Sequence, residues 1–370
     1  MHGRTHRPRG PATLHRRGRG AVVTLLLAWA AVQLALSVAA NFVWPGLRDP
    51  MYYDKVAKLR HRIAERTTAA GRPLTVVMFG SSRTLMGLDG QALEAELVGR
   101  VGRPVVALNL GIPAAGPITS AVNLHRLLRD GPQPDVVLIE VLPPLLAGQL
   151  PLPREQGFLL PERLLANEIP LVVGYGFPAE DTRTRWQASS LVPIYGLRFP
   201  LLGRLLANWR PANLRFDVGR LPDPTGWMPA FYSRVTAEEY RHGLARAWQE
   251  YYDLLQGLRL DGPSVRALRT SLELCHARGV PAALVLMPEG SDFRAWYPPA
   301  VAAELADFFT GLTAEFGVSL IDARLWLGDE AFTDGHHMLP CGAAAFTRRL
   351  GAELLPLLHP TASPRSRGGP

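Results

Sequence analysis

Two segments far apart in the chain carry side chains able to make and break an acyl bond. In VVMFGSSRT, Gly80, Ser81 and Ser82 come directly after the apolar run 74–79. A turn of small residues there exposes a hydroxyl and leaves backbone N–H groups to face a developing oxyanion, as a nucleophilic serine requires. The same residues also suit an ordinary strand-to-loop turn with a capping serine. The segment has neither GxGxxG nor GxxxxGK(S/T), so it is no recognisable phosphate cradle. In FTDGHHMLPCG, Asp334 and His337 are three residues apart, so a helical turn would put them on one face and let the carboxylate orient the imidazole. An oriented neutral imidazole is the base a serine hydroxyl needs. On its own, Asp-x-x-His reads as a surface or capping pair. His336, His337 and Asp334 also raise a metal site, but adjacent histidines point in different directions and no third well-spaced ligand is evident. No metal or other cofactor is therefore expected.

Such groups need a rigid frame, and the pattern around them is that of a parallel sheet. Short apolar runs at 74–79, 105–108, 136–141, 282–287 and 318–321 read as buried strands. Helical patterns at 91–101 and 118–129 follow the first two, 264–278 precedes the fourth, and 301–316 separates the last two. This alternation predicts a three-layer α/β/α domain with a mainly parallel sheet, over 74–358. Residues 143–229 break the rhythm with scattered prolines and glycines, and read as a long insertion beyond the C-terminal end of a strand, where α/β sheets place ligands. A substrate-covering role fits that position. Tyr240, Leu244, Trp248, Tyr251 and Leu255 form one helical stripe, read as core-facing rather than as a sugar-binding surface.

The 370 residues carry a formal charge of +8, and its location decides its meaning. Six arginines precede Ala21 and two follow His359, with no acid among them. Setting those aside leaves the body formally neutral, which excludes a nucleic-acid-reading surface on the folded domain. The basic segment 1–20 leads into the uncharged run 21–44, long enough for a membrane-spanning helix. The positive-inside rule puts the N-terminus in the cytoplasm and the domain outside, on a single-pass signal anchor in the cell membrane. Small residues at Ser37 and Ala39 leave cleavage as the alternative. Residues 45–73 read as a linker helix with Tyr52, Val56, Leu59 and Ile63 at helical spacing, and the tail 359–370 as disordered. With only Cys275 and Cys341, no disulfide framework is expected.

Taken together, the G-S-S and D-x-x-H blocks resemble those of the SGNH, or GDSL-like, hydrolase superfamily, over most of 74–358. The resemblance implies a flavodoxin-like sheet, with Ser82 as nucleophile, His337 as general base and Asp334 as orienting acid. Ser81 stands where the superfamily usually has aspartate, a variant similar to envelope members such as alginate acetyltransferase-like and D-alanyl transfer proteins. The second block, ALNLGIPAAGP, implies that Gly116, with Gly111 behind it, joins the Ser82 N–H in an oxyanion hole. The third block normally supplies an asparagine, whereas VVLIEVLPPLL has Glu140 and no asparagine. Glu289 and Arg294 in MPEGSDFRAW are expected to hold an anionic or sugar substrate, and Asp322 is a second possible partner for the histidine. The implied activity is an exported esterase or O-acyltransferase acting on an envelope polysaccharide or acyl carrier. The alternative is a non-catalytic protein of the same fold that organises an envelope polymer or a membrane acyltransferase.

Overall fold

The computed structural model describes residues 11–206, 209 and 222–358. The expectations for the basic segment 1–20 fall in part, and those for the tail 359–370 wholly, outside the described residues. Helix α1 (Pro11–Val38) ends in a π turn, Ala39–Val43, and α2 (Pro50–Arg66) follows. Its stretch Arg19–Val43 is long and apolar enough to cross a membrane, and almost none of it is buried in the protein. Strand β1 (Leu74–Gly80) leads into α3 (Ser82–Gly87) and α4 (Gly90–Val101), and β2 (Val105–Gly111) into α5 (Pro117–Asp130) and β3 (Val136–Glu140). Among the described residues the insertion then forms 3₁₀ turns and four short helices, α6 (Ile169–Gly174), α7 (Ala179–Leu191), α8 (Pro193–Gly196) and α9 (Arg198–Leu205). The chain closes with α10 (Ala237–Gln256), α11 (Pro263–Ala277), β4 (Ala282–Leu286), α12 (Ser291–Arg294), α13 (Pro299–Phe316), β5 (Ser319–Asp322), α14 (Pro340–Glu353) and α15 (Leu355–Leu358).

The strands are parallel throughout, in the order β2-β1-β3-β4-β5, as the alternation of apolar runs and helices predicts. Because side chains alternate along a strand, one run feeds two cores. Val76 and Met78 pack with Leu93 and Leu97 of α4 and Phe346 and Leu350 of α14. Val77 and Phe79 face the other way, toward Tyr52, Val56 and Leu59 of α2, Leu124 and Leu127 of α5, Leu268 of α11 and Phe309 of α13. Both faces are covered, which is why these strands read as unbroken hydrophobic runs rather than alternating ones. The order reverses after β2, so β1 lies between β2 and β3 with its C-terminal end at the switch point, where open α/β sheets form their crevice.

Helix α2 enters the core and brings charge with it. Lys55 is buried and donates to the carbonyls of Asn109 (3.0 Å) and Gly111 (2.8 Å) at the end of β2. Burial above all, with repulsion from Lys58, pushes its ammonium down to about 7 despite the attraction of Asp223. Near the junction with the apolar helix, Arg126 of α5 ties three parts of the chain together. Its guanidinium donates to Asp49 (2.8 Å), just before α2, and to both oxygens of Glu168 (2.8 and 2.7 Å) in the insertion. Arg163 completes the group, 2.7 Å from the other Asp49 oxygen. Burial favours neutral Asp49, yet the charges of Arg163 and Arg126 outweigh it and hold the carboxyl below its ordinary range.

Removing Arg126 leaves buried Glu168 without its cation and Asp49 with Arg163 alone. Arg126→Leu is expected to lower unfolding free energy by about 3–5 kcal/mol, read as an earlier denaturant midpoint in detergent solution, while Arg163→Leu, at the rim, costs less.

Candidate active site

The chain leaves β1 through Gly80, and the turn that follows is held by one side chain. Glu140, buried at the C-terminal end of β3, accepts from the Ser81 N–H (2.7 Å) and Ser81 Oγ (2.8 Å), and from both the N–H (3.2 Å) and the hydroxyl of Thr84. Ser81 Oγ in turn accepts from the Arg83 N–H (3.1 Å), capping α3. Gly80 is obligatory here, because a Cβ would overlap Glu140 Oε2 and Thr84 Oγ1. These contacts leave Ser82 as the first residue of α3, its side chain partly exposed and its N–H without a hydrogen-bond partner among the described residues.

The second segment is not helical. Met338 bridges to Phe332, the Thr333 N–H donates to the His337 carbonyl (2.9 Å), and Gly335 sits at φ +83°, a left-handed conformation suited to glycine. Helix α14 begins only at Pro340, so the shared face of Asp334 and His337 comes from an Asx turn instead. Asp334 Oδ1 accepts from the N–H groups of His336 (3.2 Å) and His337 (2.8 Å), which frees Oδ2 for His337 Nδ1 at 2.7 Å. From the other side, Gly243 of α10 lets that helix lie directly against Asp334, where a Cβ would come within 2.7 Å of the aspartate Cβ.

The tertiary fold brings the two segments together. Ser82 Oγ lies 2.7 Å from His337 Nε2, so a relay runs from the hydroxyl through the ring to Asp334. With Nδ1–H donating to Asp334, Nε2 is left as acceptor for the serine proton. The His337 side chain is 20% exposed, so the relay is open to solvent on one side. Burial lowers the pKa of His337, but the charge of Asp334 and its hydrogen bond more than offset this and leave it above the ordinary 6.5. Asp334 is likewise opposed by burial, yet its histidine neighbours take it well below the usual carboxylate range. His336 behaves oppositely. It is buried between Phe293 and Tyr251, and burial keeps its ring below the ordinary value. Its Nδ1 is 3.2 Å from Asp334 Oδ1 without hydrogen-bond geometry. Ligand atoms of Asp334, His336 and His337 lie within 4.8 Å of one another, but Asp334 Oδ2 and both His337 nitrogens are already engaged in the relay.

Other expected residues lie elsewhere or are occupied. The Gly116 N–H donates to Glu155 Oε2 (2.8 Å), and the same carboxylate also takes the N–H groups of Ile118 (2.9 Å) and Thr119 (2.7 Å) at the start of α5. The Gly111 N–H is bound to Asn109 Oδ1 (2.8 Å). Neither glycine offers a free oxyanion donor, because each N–H lies in a turn closed by a buried side-chain acceptor. Glu289 is 1% exposed and accepts from the Tyr297 hydroxyl (3.0 Å), with Arg83 Nη1 at 3.6 Å, so it is part of the interior rather than a substrate contact. Arg294 donates to the backbone carbonyls of Glu289 and Arg324, which fixes its loop. Asp322 is paired with Arg324 at 2.6 Å, away from the histidine. Along α10, Tyr251 and Leu255 are buried as a core-facing stripe requires, whereas Trp248 is exposed and stacks on Tyr252.

Sequence reasoning passes over Arg83, and meets Glu140 only as the residue standing where an asparagine is absent. Arg83 Nη2 donates to the carbonyls of Met287 (3.0 Å) and Pro288 (2.9 Å), clamping the serine helix to the end of β4. The available signal was the charge of Glu140 inside the apolar run 136–141 and of Arg83 just beyond the run 74–79, since a buried charge persists only with partners.

The opposed environments of the two histidines are directly measurable. In a titration followed by imidazole ¹⁵N shifts, His337 should lose its charge above pH 6.5 and His336 below it. The raised pKa of His337 means its contribution to stability is present below the unfolded value and lost as pH rises through the folded one. Asp334→Asn should bring the His337 midpoint down and remove that dependence.

No family model matches the sequence, and no curated protein matches it. Among solved structures, a mutant of the esterase AlinE4 is similar at 12% identity and a TM-score of 0.29, over 68% of this chain and 76% of that one. A proposed arylesterase from Agrobacterium tumefaciens str. C58 is similar at 16% identity and a TM-score of 0.31, over 76% and 97%. Overlaps this loose carry no weight for the reaction, which has to be judged from the side chains themselves.

Proposed function

We propose that this chain is a membrane-tethered serine ester hydrolase or O-acyltransferase. The observation that carries the reading is the Ser82–His337–Asp334 relay, with both links at 2.7 Å and the serine at the C-terminal edge of the sheet. In the first half-reaction Ser82 Oγ bonds to the carbonyl carbon of an ester or thioester, and its proton passes to His337 Nε2. As the tetrahedral intermediate collapses, Nε2 returns the proton to the departing alkoxide or thiolate and Ser82 is left acylated. Water or an acceptor hydroxyl then loses its proton to Nε2 and takes the acyl group, and Ser82 Oγ regains the proton. The negative charge of Asp334 stabilises the imidazolium in each step. For the oxyanion, the Ser82 N–H is the donor the local geometry favours. An acyl group on an envelope polysaccharide or carrier suits a domain placed outside the membrane by the arginine-rich segment that precedes the span.

A second reading has its own observation. The Gly116 and Gly111 N–H groups are both occupied and no asparagine ends β3, which leaves oxyanion support thin. A non-catalytic protein of this fold, binding an envelope polymer or a membrane acyltransferase, would tolerate that. Reaction with a fluorophosphonate probe separates the two. Catalytic chain should be labelled, with labelling lost in Ser82→Ala and His337→Ala; folded chain that is never labelled rejects the enzyme. Labelling should rise with pH through a midpoint above 6.5, because the imidazolium below it cannot accept the serine proton. Glu140→Ala should slow it by about 10²-fold, the effect of a small displacement of a nucleophile, without changing that midpoint's direction.

A further inference from the structure

We infer that the helical hairpin formed by the end of α7, α8 and α9 is a second membrane contact, an apolar wedge set into the leaflet on the domain's side. The inference rests on the reading of Arg19–Val43 as a membrane span. At about 1.5 Å per residue, the 25 residues of that stretch cover about 37 Å, more than the roughly 30 Å of a hydrocarbon core. Gln33 lies within its domain-side half, between neighbours from 19 to 35 that are all exposed, and is only 7% exposed. What covers it is α8. Gln33 Oε1 accepts from the Ile194 N–H at 3.2 Å, so the hairpin reaches down beside the span to that level. Closer to the domain, Leu197 packs with Ala40 and Leu47, with Ala39 and Leu201 against them.

The hairpin has the properties a bilayer demands. Leu191 and Leu205 are 75% and 76% exposed, and Val192, Ile194, Tyr195 and Leu206 are exposed as well. Left in water, such a patch beside a membrane anchor would be an aggregation surface. The backbone donors of the tip are also paired. Between 192 and 197, Val192, Tyr195, Gly196 and Leu197 all donate within the hairpin, Pro193 has no N–H, and the Ile194 N–H is the one taken by Gln33. Backbone donors set into lipid need such partners, whereas water at an exposed tip could serve in their place. The cation of the tip, Arg198, lies 4.0 Å from the centre of the Tyr195 ring and 4.4 Å from that of Phe199. A basic side chain lying along aromatic rings is the arrangement of the membrane interface, where its head can reach water. Arg204 is turned to the domain, paired with Asp54 at 2.8 Å. The wedge, with the buried Arg126 group behind it, would hold the sheet at a set height and tilt on the membrane.

The test uses the full chain in phosphatidylcholine vesicles with brominated acyl chains. In a Cys341→Ser background, cysteines placed at Leu191, Tyr195 or Leu205 carry an environment-sensitive fluorophore, with Leu27→Cys in the span and Leu325→Cys on the exposed surface as references. Expected are blue-shifted emission at the three hairpin positions and several-fold quenching by bromolipid, as at the span position, with neither at the surface position. Hairpin labels that emit as in water and are quenched by aqueous iodide, while the span label is quenched by lipid, overturn the wedge and leave the span standing. Labels in water at both places overturn the span, and the wedge with it. To guard against misfolded labelled variants, the unaltered chain is crosslinked with a photoactivatable phospholipid. Adducts within 191–206 support the wedge, and adducts confined to the span overturn it.

Discussion

The carboxyl group of Glu140 is the constraint around which the site is organised. It ends β3, next to β1 in the sheet, and the strand that supplies it is buried on both faces. Four donors from Ser81 and Thr84 converge on it, so the chain emerging from β1 has one way to turn into α3. A buried acid without such partners would be costly, and the turn without the acid would leave two N–H groups and two hydroxyls to find other acceptors. Each solves the other's problem, and the outcome is a serine held at the start of a helix with its own N–H unclaimed. Gly80 belongs to the same solution, since the acid occupies the space a side chain would need.

The histidine is placed by a different set of forces. Its turn is pinned by Asp334 accepting from two backbone N–H groups, by the left-handed Gly335, and by α10 pressing through Gly243. The serine helix and this turn then meet because Arg83 ties the helix to the end of β4 while the Gly290 N–H, just beyond it, donates to the Gly335 carbonyl at 2.7 Å. Neighbouring histidines acquire opposite tendencies from this arrangement. His337 faces the carboxylate at hydrogen-bond distance and gains proton affinity, whereas His336 is enclosed by aromatic rings and loses it. One ring suits proton transfer and the other suits packing, although they are adjacent in the chain.

At the opposite scale, buried charge also joins the domain to its apolar helix. Arg126 collects Asp49 and Glu168, and Arg48 reaches from the end of the apolar helix to Asn41, Ser190 and the Glu162 carbonyl. The insertion is thus built into the junction between α1 and the sheet, as well as returning to the β2 edge, where the Asn109 N–H donates to the Thr225 carbonyl at 2.8 Å. Ionic groups buried this way cost desolvation but break only as a unit, which favours a fixed geometry over a hinged tether.

Strand positions, their parallel arrangement and the apolar N-terminal helix were legible in the order of residues alone, because doubly covered strands and membrane-length helices are written as continuous apolar runs. The sequence also pointed to His337 and Asp334 from residue type and spacing, only three positions apart, while the choice of Ser82 within the G-S-S turn came from a resemblance of motif. What it could not decide was which polar atoms remain unclaimed. The Gly116 N–H was assigned to an oxyanion from its block alone, yet Glu155, from another part of the chain, had already taken it; Glu289 looked like a substrate contact until the fold buried it against Tyr297. Glu140 seemed only to stand where an asparagine was missing, though its partners are 56 and 59 residues away. Apolar periodicity is a local property that each segment carries in itself. Hydrogen-bond satisfaction is a property of the closed fold, settled only when distant segments compete for the same donors.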